Sequence, residues 1–336
     1  MKYICIEKPG KVSFREMDIP EAGEGEALLK LLYGGICGSD LGTYRGTFAY
    51  TGYPRIPGHE FSAEIVQVGK NPYGFEEGMV VTANPYFNCG ECYSCQRGYV
   101  NCCEHNETMG AQRDGAFCQY ITMPVERLFK SEGLSPKHLA LVEPFCIGYH
   151  GIRRAEIEKD DRVLVIGAGT IGVVAAISAQ KAGARVDICD VAEGKLEYAR
   201  RFGFDGYIKN DEDFLEQVNR RTGGQGYDVT VEAVGLPRTF LDAVDAAAYE
   251  GRMVQLGVGK KEAQFDFTLL QKKELKVLGS RNALSSDFSQ VIELFGKGDI
   301  PLDDIITNVY PFEDGAKAFE EFDRNSTQML KVMIEF

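Results

Sequence analysis

The sequence predicts a two-domain α/β protein, a β-barrel with long loops followed by a doubly wound parallel sheet. Three observations carry that expectation. Up to about Met123 the chain reads as short strands broken by Gly and Pro. From Arg162 to Asp190 it reads strand, glycine-rich turn, helix, strand. From there to about Gly279 strand and helix text keep alternating, the mark of parallel βαβ units.

In the first part, strands are expected at Ala27–Tyr33, Phe61–Val68 and Gly78–Thr82, with Gly34-Gly35, Gly69, Pro72 and Gly74 as breaks. Helical text begins near Pro136. Arg162-Val163-Leu164-Val165-Ile166 is β-branched and apolar, as suits a strand buried on both faces. Later strands are expected at Tyr227–Val231 and Arg252–Leu256, and helices at Glu212–Arg221, Pro237–Ala248 and Asp287–Phe295. The short tail ends in Met329–Ile334, expected as a strand returning to the first domain.

A length of 336 residues suits two domains with a core in each. The formal charge of −13 argues against nucleic acid or an anionic membrane as a partner, since a phosphate polymer would be repelled. The N-terminal residues lack the apolar core of a signal peptide, and no run is long enough to span a bilayer. Ten cysteines in such a chain point to reduced thiols, metal and a cytoplasmic setting.

The central unit carries the first chemistry. Gly167-Ala168-Gly169-Thr170-Ile171-Gly172 joins strand to helix. The first glycine permits the turn, the second lets backbone approach a pyrophosphate, and the third lets helix pack on strand. The diphosphate would sit on the helix's free amides and positive end. Asp190 ends the second strand, placed to accept from both ribose hydroxyls of NAD and to repel a 2′-phosphate. Val234, Gly235 and Leu256, beside later strand ends, complete the expected cofactor contacts.

Cys89, Cys92, Cys95 and Cys103 are spaced C-x2-C-x2-C-x7-C. Four thiolates can close a tetrahedron around zinc with no open position, so this site should hold a loop and do no chemistry. Cys102 is an alternative fourth ligand, and a nucleic-acid zinc ribbon and an Fe–S cluster are the competing readings. A second set is scattered: Cys37, His59 with Glu60, and Glu143. One thiolate, one imidazole and one or two carboxylates make a catalytic type of zinc sphere with a place left for substrate. Each of Cys37 and His59 alone would read as an ordinary buried residue; their combination points to metal.

These motifs together resemble the zinc-dependent medium-chain dehydrogenases over essentially the whole chain. The resemblance rests on Gly35-Ile36-Cys37-Gly38-Ser39-Asp40, Gly58-His59-Glu60, the cysteine quartet, Glu143-Pro144 and Gly167–Gly172. Glu143, where alcohol dehydrogenases have a zinc cysteine, resembles the sorbitol and threonine dehydrogenase branch. Arg97–Glu104, Glu143-Pro144-Phe145, Arg153-Arg154-Ala155 and Gly279–Ala283 look most like bacterial hexonate dehydrogenases, which act on L-galactonate or L-gulonate at C5. The resemblance implies a GroES-like domain at 1–148, completed by 280–336, and a Rossmann domain at 149–279. It also implies a homodimer or homotetramer. Related polyol enzymes often carry a histidine where this chain has Gly42, so a proton relay from Ser39 through such a side chain is not available. His150 reads as a packed residue near a helix end.

The expected reaction is reversible oxidation of a secondary alcohol to a ketone with NAD and zinc. Cys37 and His59 are the expected catalytic-zinc ligands, with Glu60 and Glu143 sharing or alternating the remaining places. Ser39 is the expected first proton acceptor, and Arg281 the reader of a substrate carboxylate. A sugar acid of the L-galactonate or L-gulonate type is the expected substrate. A polyol or L-threonine dehydrogenase is the alternative within the class, and a non-catalytic zinc-stabilised NAD-binding protein the alternative outside it.

Overall fold

The computed structural model describes residues 1–259 and 261–336. Packing divides them into two units, Met1–Glu143 with Leu284–Phe336, and Pro144–Ala283.

The first unit is built on the strand Glu26–Ile36. It is long enough to serve several neighbours and pairs antiparallel with Glu60–Val68, Tyr120–Pro124 and Lys331–Glu335. Register decides what meets there. Gly35 lies opposite Glu60 on one side, while Ile36 lies opposite Val332 on the other. The chain's far end is thus stitched beside the Gly35–Cys37 turn, as expected for a returning strand. Leu29, Leu31, Phe61, Ala63 and Ile65 alternate inward from the two central strands and form the main core. A second cluster joins Ile4, Ile36, Phe117, Phe319 and Ile334.

The second unit is a six-stranded parallel sheet. Its order in space is Gly206–Lys209, Arg185–Asp190, Arg162–Ile166, Tyr227–Glu232, Ala247–Gln255, Lys276–Gly279. The order reverses direction at Arg162–Ile166, which gives the sheet its switch point for ligands. Val163, Val165, Val229 and Val231 are fully buried, consistent with a strand covered on both faces.

Three elements differ from expectation. The dinucleotide helix begins at Thr170, inside the glycine motif. The expected Pro237–Ala248 helix stops at Ala246, and Ala247 opens a strand instead. Lys273 explains the stop: its Nζ donates to the carbonyls of Val244, Asp245 and Ala247, occupying acceptors that a longer helix would use. The short tail also contains a strand, Ile306–Pro311, and a helix, Gly315–Arg324. Ala318, Phe319 and Phe322 bury that helix on the first unit's core.

Candidate active site

Cys37 caps the helix Gly38–Arg45, and its neighbour Asp40 fixes the surrounding backbone. Asp40 is buried; one oxygen accepts from Cys37 N–H at 3.0 Å and the other from Gly58 N–H at 3.1 Å. One carboxylate therefore ties the Cys37 turn to the loop that ends in His59. Burial pushes the Asp40 carboxyl up, and the two backbone donors partly restrain that rise.

Cys37, His59 and Glu60 bring one sulfur, one ring nitrogen and one carboxylate oxygen within 4.8 Å of one another. His59 Nδ1 is buried and has no hydrogen-bond partner. Glu60 folds over Gly35, where an added Cβ would stand 2.1 Å from its Oε2. From the other side of the same strand Lys331 Nζ donates to both Glu60 oxygens, at 2.7 and 2.6 Å, and to the Ile36 carbonyl at 3.3 Å. The pair meets because glycine leaves the space between their strands open. Burial opposes the Lys331 ammonium, but the charges of Glu60 and Cys37 outweigh it and raise its pKa. At His59 burial likewise favours the neutral ring, yet Cys37 and Asp40 lift the imidazole well above its ordinary range. A thiol, an imidazole and a carboxylate so gathered could hold a divalent metal.

Glu143 stands in the first turn of the helix Val142–Arg154 and is 2% exposed. It does not join the group within 4.8 Å. Its Oε1 accepts from the Tyr86 hydroxyl. Burial raises the Glu143 carboxyl to about 7, with Glu60 adding to the rise and His59 opposing it. Ser39 is partly buried beside Cys37. Gly42 is closed in by Phe48, whose Cβ lies 3.2 Å from where a Gly42 Cβ would be.

Cys89, Cys92, Cys95 and Cys103 also converge within 4.8 Å, and none is in a disulfide. Cys103 Sγ lies 3.5 Å from Cys89 Sγ and 3.9 Å from Cys92 Sγ. Cys102 is exposed and outside the group. Backbone donors from Glu104 and Cys95 draw the Cys92 thiol down to about 6, while burial pushes Cys95 up to about 11. Backbone amides aimed at sulfur favour thiolate, the form that binds metal.

In the parallel sheet, Gly172 packs so closely that an added Cβ would stand 1.7 Å from the Gly167 carbonyl oxygen. Gly167 turns at φ +109°. The helix Thr170–Lys181 starts from Gly169 without a side-chain cap, and beside Gly169 the space is open as far as Lys195 Nζ. Asp190 accepts from Ala168 N–H at 2.8 Å and Ala192 N–H at 2.9 Å, which orients its carboxylate beside the glycine turn. Val234 and Gly235 donate their amides to buried Glu232. Leu256 is buried and packs where Gly151 has no side chain. Arg281 is exposed, two residues beyond the carboxyl end of Lys276–Gly279.

Sequence reasoning gave Asp40 no role beyond its place in the Cys37 motif, and missed Tyr86, Lys195, Glu232 and Lys331. Only Lys331 left a readable sign, a single cation opening the apolar run Val332-Met333-Ile334.

The family model described as alcohol dehydrogenase GroES-like domain matches residues 23–133, and that described as zinc-binding dehydrogenase matches residues 170–297. The chain is 35% identical to L-galactonate-5-dehydrogenase of Escherichia coli (strain K12), covering 100% of this chain and 99% of that protein. It is 32% identical to sorbitol dehydrogenase of Halalkalibacterium halodurans, covering 97% and 96%. Among solved structures, one described as a short chain alcohol dehydrogenase (rspB) from E. coli CFT073, complexed with cofactor NADH, superposes with a TM-score of 0.92. Its identity is 30%, with 100% of this chain and 99% of that one covered.

Proposed function

The chain belongs to the zinc-type alcohol dehydrogenase family, and from that premise we propose that it reversibly oxidises a secondary alcohol of a sugar acid with NAD. The observation that carries the reaction is the Cys37, His59 and Glu60 group. Its buried imidazole nitrogen without a partner and its thiol–imidazole–carboxylate chemistry fit zinc. Cys37, His59 and one of Glu60 or Glu143 would hold the catalytic ion, and Cys89, Cys92, Cys95 and Cys103 the structural one. When bound, the catalytic zinc supplies Lewis acidity toward a substrate hydroxyl, and the nicotinamide accepts hydride.

The chain's own residues supply the rest. Ser39 takes the hydroxyl proton first. Phe48 occupies the space beside Gly42, so the proton leaves by a route other than a side chain at that position. Asp40 holds the Cys37 and His59 segments in register. Gly167, Gly169, Thr170, Ile171 and Gly172 seat the cofactor's diphosphate at the helix start, with Val234, Gly235 and Leu256 alongside. Asp190, already oriented by two amides, accepts from the ribose and disfavours a 2′-phosphate.

Arg281 supports an acidic substrate. It follows the carboxyl end of a parallel strand, the edge where such sheets bind ligands, and offers a permanently charged planar fork. The similarity to L-galactonate-5-dehydrogenase, at 35%, supports a sugar acid. The edge strand Lys276–Gly279, with Val277 exposed, supports assembly as a homodimer or homotetramer. Ten cysteines, several of them read as metal ligands, support a reducing cytoplasm.

The test is NADH formation across a panel of hexonates, sorbitol and L-threonine. L-Galactonate or L-gulonate should rank first, and NAD should exceed NADP in kcat/KM. Arg281→Lys should raise KM for the acid much more than for a polyol. Equal penalties would show that Arg281 does not read the carboxylate. Sorbitol ahead by about tenfold, roughly 1.4 kcal/mol of transition-state preference, would move the assignment to the polyol branch.

A further inference from the structure

Besides Asp40, two carboxylates lie near His59, and each is already engaged by a different partner. Glu60 is inside the ligand group although Lys331 donates to both its oxygens. Glu143 is outside the group, and the Tyr86 hydroxyl holds one of its oxygens. Tyr86 does not owe its position to that contact. Its N–H donates to Asn84 Oδ1 at 2.9 Å, and its carbonyl accepts from Arg127 Nη1 at 2.5 Å. The next ring, Phe87, lies under the guanidinium groups of Arg113 and Arg127, at 3.7 and 4.5 Å from the ring centroid. Tyr86 is 5% exposed and paired with Thr108 across a short ribbon. The hydroxyl is thus presented by a fixed scaffold three residues before Cys89, the start of the cysteine loop.

We propose that Tyr86 is a positioning residue that latches Glu143 outside the metal's ligand set, leaving Glu60 as the carboxylate that completes it. Without the hydroxyl, a buried carboxylate that has lost its donor would turn to the nearby cation. The latch rests on reading Cys37, His59 and Glu60 as a zinc site.

Zinc release to a chelator, followed per chain, separates the two ideas. Wild type with only one releasable zinc overturns the site reading itself. With two zincs bound, Tyr86→Phe should slow loss of the catalytic one by about tenfold, the lower end of effects from groups that orient ligands. Cobalt-loaded Tyr86→Phe should show an altered visible spectrum. In a Glu143→Gln background the same substitution should change neither readout. Glu143→Gln alone should release zinc at the wild-type rate, which tests the latch even if the tyrosine variant folds poorly. Unchanged or faster release in Tyr86→Phe, a spectrum that still shifts without Glu143, or faster release from Glu143→Gln overturns it.

Discussion

The two clusters of candidate ligands are built in opposite ways. The cysteine quartet comes from a single loop, Cys89–Cys103, and its sulfurs are served by nearby backbone amides such as Cys92 N–H on Cys89 at 3.4 Å. The Cys37 group draws on a helix cap, a loop end and a strand start, and is held by charged side chains that are themselves buried: Asp40 and Lys331. A local loop without its own core depends on metal to stay closed. A buried charged group depends on every counter-charge being in place. Their failures should therefore differ in kind.

The largest expected effect is on turnover. His59→Ala or Cys37→Ser should lower kcat/KM by about a thousandfold or more, since several kcal/mol of charge stabilisation disappear. The protein should remain folded with about one zinc per chain. Cys92→Ser should instead lower the melting temperature while turnover persists in the folded fraction. Metal analysis with calorimetry checks both. Loss of both zincs from His59→Ala would break the comparison, because it would make the quartet dependent on the buried group.

Next is the Glu60–Lys331 pair. Lys331→Met leaves a carboxylate buried without its cation, at a cost of about 3–5 kcal/mol. Most of this should return in Lys331→Met with Glu60→Gln. The penalty should survive chelation, because the pair needs no metal, whereas the Cys92→Ser penalty should vanish in chelated protein. Urea unfolding with and without chelator measures each. A Lys331→Met penalty that vanishes with the metal would mean that the lysine supports the ion and not the fold.

The same contrast explains what the sequence made legible. The quartet, the glycine turn and Asp190 are local patterns whose chemistry is written in their spacing, and the Val-rich strands around them announce a parallel sheet. Cys37, His59 and Glu143 could be suspected from residue type once the other motifs were in hand. Tyr86 gave no sign, and Lys331 showed only as a cation opening an apolar run, because its role comes from register: Ile36 opposite Val332 and Gly35 opposite Glu60 bring a C-terminal lysine to Glu60. The helix Gly315–Arg324 was missed for another reason. Its apolar stripe of Ala318, Phe319 and Phe322 is short, and charged residues surround it. The helix that ends at Ala246 was overrun because alanines favour helix, while Lys273, distant in sequence, takes their carbonyls.

The smallest expected effect settles which of two adjacent cysteines belongs to the quartet. Spacing alone admits either Cys102 or Cys103. Cys103 is fully buried, its sulfur accepts from Cys89 N–H at 3.3 Å, and it lies within reach of Cys89 and Cys92 sulfurs. Cys102 ends the turn Val100–Cys102 with its side chain exposed, so serine in its place removes neither packing nor a metal bond. Cys102→Ser should change unfolding free energy by less than about 0.5 kcal/mol and leave zinc content at the wild-type value. Cys103→Ser should lose the loop's zinc. The reverse pattern would mean that the loop rearranges when metal enters, and that a quartet built from local backbone is as dependent on its ion for geometry as for stability.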